Sequence, residues 1–384
     1  MKNIYRFYLM SLILYSMITL YNSYIPLKLS FLEMDSKGVL LAISPVVSLF
    51  APMLWGILAD RMSSRKKLLS TLCLFGGASF LAICLNTAYG LLFLSVFLYS
   101  LFASSYGSLS DTLSLSYCSE FNLPYGRIRL MGTLGYGIFA VLSGVLMNFS
   151  DYSLPALYLL LAAAAFIVIR LLPENGHLPE APKAPKERSG FWESLRELLR
   201  IPHLPQILFL ILAVHAPLNY FYSFYSEYFI YSLGNPEWHW GLLVLATVVG
   251  EVPLLMFLNR LINRFHYRTL FIASGVLTIL RYALLICLQN IVAITVVSLA
   301  TGYVTTLAFY AATTYLHQKT PERIRATCQS ILYSTAALSG IAANLLGGVA
   351  AKLLGVRAGM GAAVIFTALA VLLLLPCRFS RSTD

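Results

Sequence analysis

Arg127-Ile128-Arg129, followed by Leu142-Ser143-Gly144, is written a second time as Arg323-Ile324-Arg325 followed by Leu338-Ser339-Gly340. Both recurrences are 196 residues apart, so one register relates the two halves of the 384-residue chain. Two tripeptides alone are within reach of chance, and the hydropathy gives them weight. Apolar residues make up 59% of the chain and charged residues 11%. A duplicated half in so apolar a chain points to a membrane protein of two similar helical bundles. Transporters of that design hold their substrate between the bundles near mid-membrane.

A soluble domain carries roughly 25% charged residues. The lower figure here cannot solvate a water-facing surface, so lipid must cover most of the exterior. The six cysteines (Cys73, Cys84, Cys118, Cys287, Cys328, Cys377) have neither CxxC nor metal-ligand spacing and read as small apolar residues. The first apolar run, residues 7–29, has no small-residue cleavage site and is long enough to span. The net charge of +11 sits in short stretches between apolar runs, which fits cytoplasmic loops and argues against a nucleic-acid partner. There is no Walker loop, no GxSxG and no metal-spaced His/Cys cluster. The composition therefore predicts neither an enzyme nor a cofactor.

Apolar segments fall at 7–29, 38–58, 68–86, 90–116, 128–149, 154–172, 205–231, 239–259, 269–287, 290–316, 326–350 and 357–376. Each is near the ~20 residues that cross ~30 Å of hydrocarbon, and backbone in lipid must bond within its own segment, so twelve helices are expected. The loops on the side shared by both termini hold 22 of the 27 lysines and arginines, whereas the other side has Lys28, Lys37, Lys352 and Arg357. The positive-inside rule puts both termini in the cytoplasm and the chain in the cell (inner) membrane. Residues 173–204 are polar and proline-rich, and Trp192 to Arg200 reads as a short amphipathic interfacial helix. The expected division is a six-helix bundle over 1–172, this cytoplasmic linker, and a second six-helix bundle over 205–384.

Helix 2 ends in Gly56-Ile57-Leu58-Ala59-Asp60-Arg61-Met62-Ser63-Ser64-Arg65-Lys66-Lys67. This resembles the helix 2–3 loop of the major facilitator superfamily, although an ordinary basic loop reads similarly. In that reading Gly56 permits close helix approach, and Asp60 with Arg61 and Arg65 latches one conformation. Pro124-Tyr125-Gly126-Arg127-Ile128-Arg129-Leu130-Met131-Gly132 is similar to the opening of helix 5 in lactose permease and in the phenylpropionate permease family. Gly250-Glu251-Val252-Pro253, Arg281 and Arg325-Ala326-Thr327-Cys328-Gln329 follow the same pattern in order and spacing. The resemblance covers nearly the whole chain and implies a major facilitator fold: all-α, twelve helices, two pseudo-symmetric bundles.

A charge at bilayer depth costs ~2.5–3.5 kcal/mol or more, so each needs a reason. Glu251 lies nine residues before Arg260, and Arg281 thirteen after Arg268. These depths, ~14 and ~20 Å, differ by about one turn. The spacing predicts an intramembrane Glu251–Arg281 pair with Glu251 carrying the coupling proton, against a static ion pair. Asp111 and Arg129 flank the 4–5 turn at depths of roughly 12 and 8 Å, where they can face one another, although Arg129 also reads as a loop charge. By the resemblance to lactose permease, Asp111, Arg129 and Tyr136 would contact substrate. The Asp and Tyr here leave sugar specificity open. Helix 10 departs from lactose permease: Tyr303, Thr305, Thr306, Tyr310 and Thr314 are accompanied by no acid. Asn22 with Tyr15 and Tyr21 on helix 1, Asn219 and Tyr220 beside His215 and Pro217 on helix 7, and Tyr310 are further candidate ligand contacts; helix packing is the plainer alternative for each. Glu227 reads as wet, and Trp238 and Trp240 as an outer aromatic belt.

The expectation is a monomeric secondary transporter working by alternating access. It would move a small organic solute (sugar, nucleoside or aromatic acid) with protons across the lipid bilayer. A proton-coupled exporter, an uncoupled facilitator, and more remotely a membrane-embedded enzyme or sensor stay open.

Overall fold

The computed structural model describes residues 3–62, 64–123, 125–147, 149–150, 152–173, 201–320, 325–377 and 379; the side chains of 60, 255, 259 and 325–327 fall outside it. The linker segment 174–200, with its expected interfacial helix, also lies outside the described residues.

Among the described residues, twelve helices are long and apolar enough to span. They are α1 (Ile4–Phe31), α2 (Met34–Ala59), α3 (Arg65–Leu85), α4 (Tyr89–Glu120), α5 (Tyr125–Met147), α6 (Ser153–Arg170), α7 (Leu204–Tyr225), α8 (Glu237–Leu258), α9 (Tyr267–Cys287), α10 (Ile291–Lys319), α11 (Cys328–Leu354) and α12 (Val356–Leu374). Each matches one expected span, with the ends moved by a few residues. No strand occurs among the described residues.

The internal repeat is physical. In the first half α1 packs on α5, α3 on α6 and α3 on α4; in the second, α7 packs on α11, α9 on α12 and α9 on α10. A break in α4 at Ser104-Ser105 recurs in α10 at Leu299-Ala300. Hydroxyls explain both breaks. Ser104 Oγ donates to the Leu101 carbonyl at 3.0 Å, and Thr301 Oγ1 to the Ser298 carbonyl at 2.6 Å, and such back-bonding bends helices. The carbonyls of Leu171 and Leu375, just beyond α6 and α12, accept from Arg6 and Arg268. A cation there meets the negative end of the helix.

Two compact units result, and they depart from the sequence halves in two short segments. The first comprises α1, the chain from Val39 through α6, and Phe229–Leu245; the second comprises Glu33–Gly38, the chain up to Tyr228, and the chain from Ala246 on. Each has its own apolar core. In the first, Gly132 and Gly135 let α5 lie against α1: a Cβ would meet Tyr15 Cδ2 at 2.6 Å and the Leu12 carbonyl oxygen at 2.4 Å.

Candidate functional site

The second unit carries Glu251 and Arg281 within its spanning helices. Glu251 sits where α8 and α10 touch backbone to backbone. A Cβ on Gly250 would lie 1.8 Å from the Leu299 oxygen, and one on Gly302 would lie 2.5 Å from Cα of Glu251. Only glycines allow this approach, which places Thr306 Oγ1 to donate to Glu251 Oε1 at 2.7 Å. Glu251 is half-buried.

Arg281, on α9 in the same unit, is 2% exposed. Its guanidinium lies over the rings of Phe221 (4.7 Å) and Tyr282 (4.6 Å), and Nε, Nη1 and Nη2 all lack a hydrogen-bond partner. The expected Glu251–Arg281 pair is not formed. Depth along the axis was matched, but α8 turns Glu251 toward Thr306 on α10, while Arg281 points into the aromatic face of α7. Spacing along a helix fixes height and leaves the rotation about the axis to packing.

α7 changes character midway. It is regular from Leu204 to Tyr220, then widens into i→i+5 turns over Phe221–Tyr225 and again over Tyr228–Ser232. Widened turns are rare and concentrate at functional sites. Asn219 Nδ2 donates to the His215 carbonyl at 2.9 Å and to Ser339 Oγ at 3.4 Å, tying α7 to α11. Tyr220 is buried and donates to the Val356 carbonyl at 3.0 Å, so its hydroxyl is engaged in holding α7 to the start of α12. Tyr310 is exposed on α10, its carbonyl accepting from Thr314 Oγ1 at 2.9 Å.

In the first unit Asp111 is half-buried beside the Tyr125 hydroxyl. Arg129 is exposed, with its guanidinium 4.3 Å from the centre of the Tyr15 ring. Among the described residues no ion pair joins Asp111 to Arg129. Tyr136 and Asn22 are half-buried. Tyr21 is taken up in packing: it stacks on Tyr99 at 4.0 Å and shares a hydrogen bond with Ser44 (3.0 Å), which in turn pairs with Ser100 (2.6 Å).

The expected latch is altered at Gly56, where a Cβ would meet nothing within 4 Å. No close helix approach is made there. Arg61 is exposed and Arg65 half-buried, and the Asp60 side chain is outside the described residues.

Two features escaped the sequence. Glu227 is not wet: its Oε2 lies 2.6 Å from Nζ of Lys37, with the side chains 17% and 0% exposed. Lys352 likewise reaches Glu33 and Asp35. A lysine at the edge of an apolar run, with one acid at the end of a distant span, is the available signal. Trp240 is 2% exposed and therefore no belt residue. It lies next to Gly241, which packs on Ala140, so the start of α8 is covered by α5.

The MFS_1 like family matches residues 4–370. The maltose permease of Geobacillus stearothermophilus is 26% identical over 88% of this chain and 84% of its own. A probable 3-phenylpropionic acid transporter of Escherichia coli K12 is 25% identical over 65% of each chain. Among solved structures, that of the nucleoside transporter NupG superposes with a TM-score of 0.82 over 98% of both chains at 18% identity, a likeness of fold.

Proposed function

The chain belongs to the MFS_1 like family of membrane transporters, and on that premise we propose that it carries a small organic solute across the cell membrane by alternating access, with proton symport. Both termini are cytoplasmic in this reading, and the monomer is the working unit. One observation carries the coupling. Glu251 lies within α8, half-buried, hydrogen-bonded to Thr306 and, among the described residues, joined to no cation. A carboxylate at that depth without a counter-ion changes the charge of its unit by a full unit when it takes a proton, which is what a coupling site must do. The substrate contacts proposed from the sequence are Asn22, Asp111, Arg129, Tyr136, Asn219 and Tyr310, with Tyr220 in a supporting role.

The test is uptake into proteoliposomes carrying a proton gradient, with labelled 3-phenylpropionate, maltose and uridine. Accumulation of at least one above equilibrium, abolished by a protonophore, is expected. Glu251→Gln should lose accumulation and keep counterflow. Undiminished uphill uptake by that variant removes Glu251 from coupling.

A proton-coupled exporter is the second reading. It is favoured by an apolar cavity of about 230 Å³ in the second unit, lined by Leu212, Ala216, Ala343, Leu346 and Phe366 among others, and by the unformed Asp111–Arg129 pair. Drug-sized ligands occupy ~300–1,000 Å³. The cavity falls short of that range, so export stays the weaker reading. Efflux from energised, preloaded vesicles without matching uptake would reverse the order.

A further inference from the structure

Arg281 presents a problem that the fold leaves unsolved. A guanidinium carries five N–H donors. Here it is 2% exposed and has no acceptor on any of its three nitrogens. The Tyr282 hydroxyl, next in sequence and 1% exposed, faces the guanidinium itself and has no other partner. The rings of Phe221 and Tyr282 return part of the lost solvation through their π faces, but a ring supplies no lone pair. Leaving a cation and a hydroxyl buried side by side without acceptors is among the most expensive arrangements in a membrane protein. It persists where function requires it.

A second, independent observation bears on what would supply the acceptors. Phe221, which covers Arg281, opens the first set of widened turns, and Tyr225 closes it. Tyr225 stacks on Phe221 at 5.1 Å and meets Tyr228 at 5.6 Å, and Arg357 lies over Tyr228 at 5.6 Å with its Nε unpartnered. One face of α7 is thus an aromatic column with a guanidinium at each end. If the widened turn relaxes to ordinary helix by losing its extra residue, the following side chains rotate by about 100°. Tyr225 and Tyr228 would then turn away from Phe221 and release its ring from Arg281.

We propose that Arg281 is the receptor for the carboxylate of the transported solute, with the Tyr282 hydroxyl as a further donor and the Phe221–Tyr225 turns as a cover that withdraws to admit it. A carboxylate matches the planar fork of a guanidinium with two parallel hydrogen bonds. A single arginine at this depth suits a monoanion better than a phosphate, whose second charge would stay buried without a partner. The body of the acid should be apolar or aromatic, to replace the ring contacts it displaces. This inference rests on the transport reading and narrows its substrate class from sugar, nucleoside or acid to a small organic monocarboxylate.

The experiment uses the full chain, purified in detergent, and measures thermal unfolding with two acids, 3-phenylpropionate and hexanoate, against their neutral amides. The acids should raise the midpoint and the amides should not. Arg281→Gln should weaken acid binding at least tenfold, and Arg281→Lys less so, because the point charge survives without the fork. Without ligand, Arg281→Gln should unfold several degrees higher than the wild type, because an unpartnered charge has been removed. Equal shifts by acids and amides, or an undiminished acid shift in Arg281→Gln, would overturn the proposal. Should Arg281→Gln fail to fold, the acid–amide contrast in the wild type and in Arg281→Lys decides. Counterflow of uridine or maltose without any acid binding would keep the transport reading and remove this one; absence of both would remove the two together.

Discussion

Lys37 Nζ lies 2.6 Å from Glu227 Oε2, so a fully buried ammonium from the start of α2 is neutralised by a carboxylate just beyond the end of α7. The two residues come from different halves of the sequence, and any motion that parts these helix ends must break the pair. Removing one partner of a buried pair typically costs about 3–5 kcal/mol, whereas replacing both is often neutral. Lys37→Met and Glu227→Gln should each lower the unfolding midpoint by roughly 6 °C or more, at about 2–4 °C per kcal/mol. The double variant should recover most of that loss. A double variant as unstable as the sum of the singles would show that the pair contributes nothing as a pair. Lys352 contrasts with it: its side chain is 42% exposed, so Lys352→Met should leave the midpoint unchanged.

Gly250 and Gly302 allow the helix contact that aims Glu251 at Thr306, whereas Gly56 faces open space. Gly250→Ala and Gly302→Ala must push α8 and α10 apart. Overpacking of this kind costs about 1–3 kcal/mol, and proton-driven uptake should fall with stability. Gly56→Ala should be neutral or stabilising by up to ~1 kcal/mol, because it only removes backbone freedom from a helix. Thermal unfolding and uptake of the three variants side by side check this. Loss of stability in Gly56→Ala would mean that the close approach assigned from the loop pattern exists after all.

The sequence carried the architecture because hydropathy is a one-dimensional property. Span length, loop charge and the repeat at Arg127 and Arg323 are all readable without knowing which way any side chain points. The sites were legible only in part, for the same reason. Glu251 and Arg281 stand out by charge, and their depths follow from the 1.5 Å rise. The azimuth of Glu251 depends on Gly250 and Gly302 drawing α8 onto α10, which no periodicity reveals. Tyr220 and Tyr21 looked like ligand contacts because hydroxylated rings serve both packing and recognition, and only their partners, the Val356 carbonyl and Ser44, tell the two apart. Lys37 was hidden as one of four cations on the sparsely charged side. Its partner Glu227 is 190 residues away in sequence.

The separation of Glu251 from Arg281 gives the sharpest test of how the two divide their work. Residues that share no contact perturb stability additively, within about 0.3–0.5 kcal/mol. Here Glu251 is bonded to Thr306, and Arg281 is stacked on Phe221 and Tyr282. The midpoint changes of Glu251→Gln and Arg281→Gln should therefore sum in the double variant in the absence of substrate. Transport should behave differently. If the carboxylate of the solute sits on Arg281 while Glu251 takes the proton, Glu251→Gln keeps exchange and loses accumulation, whereas Arg281→Gln loses both. The double variant should then match Arg281→Gln alone, since an unloaded carrier has nothing to couple. A strong non-additive term in stability would mean that the two side chains meet in another conformation of the cycle. Exchange surviving in Arg281→Gln would move substrate recognition elsewhere, with Arg129 over Tyr15 as the next cation to examine.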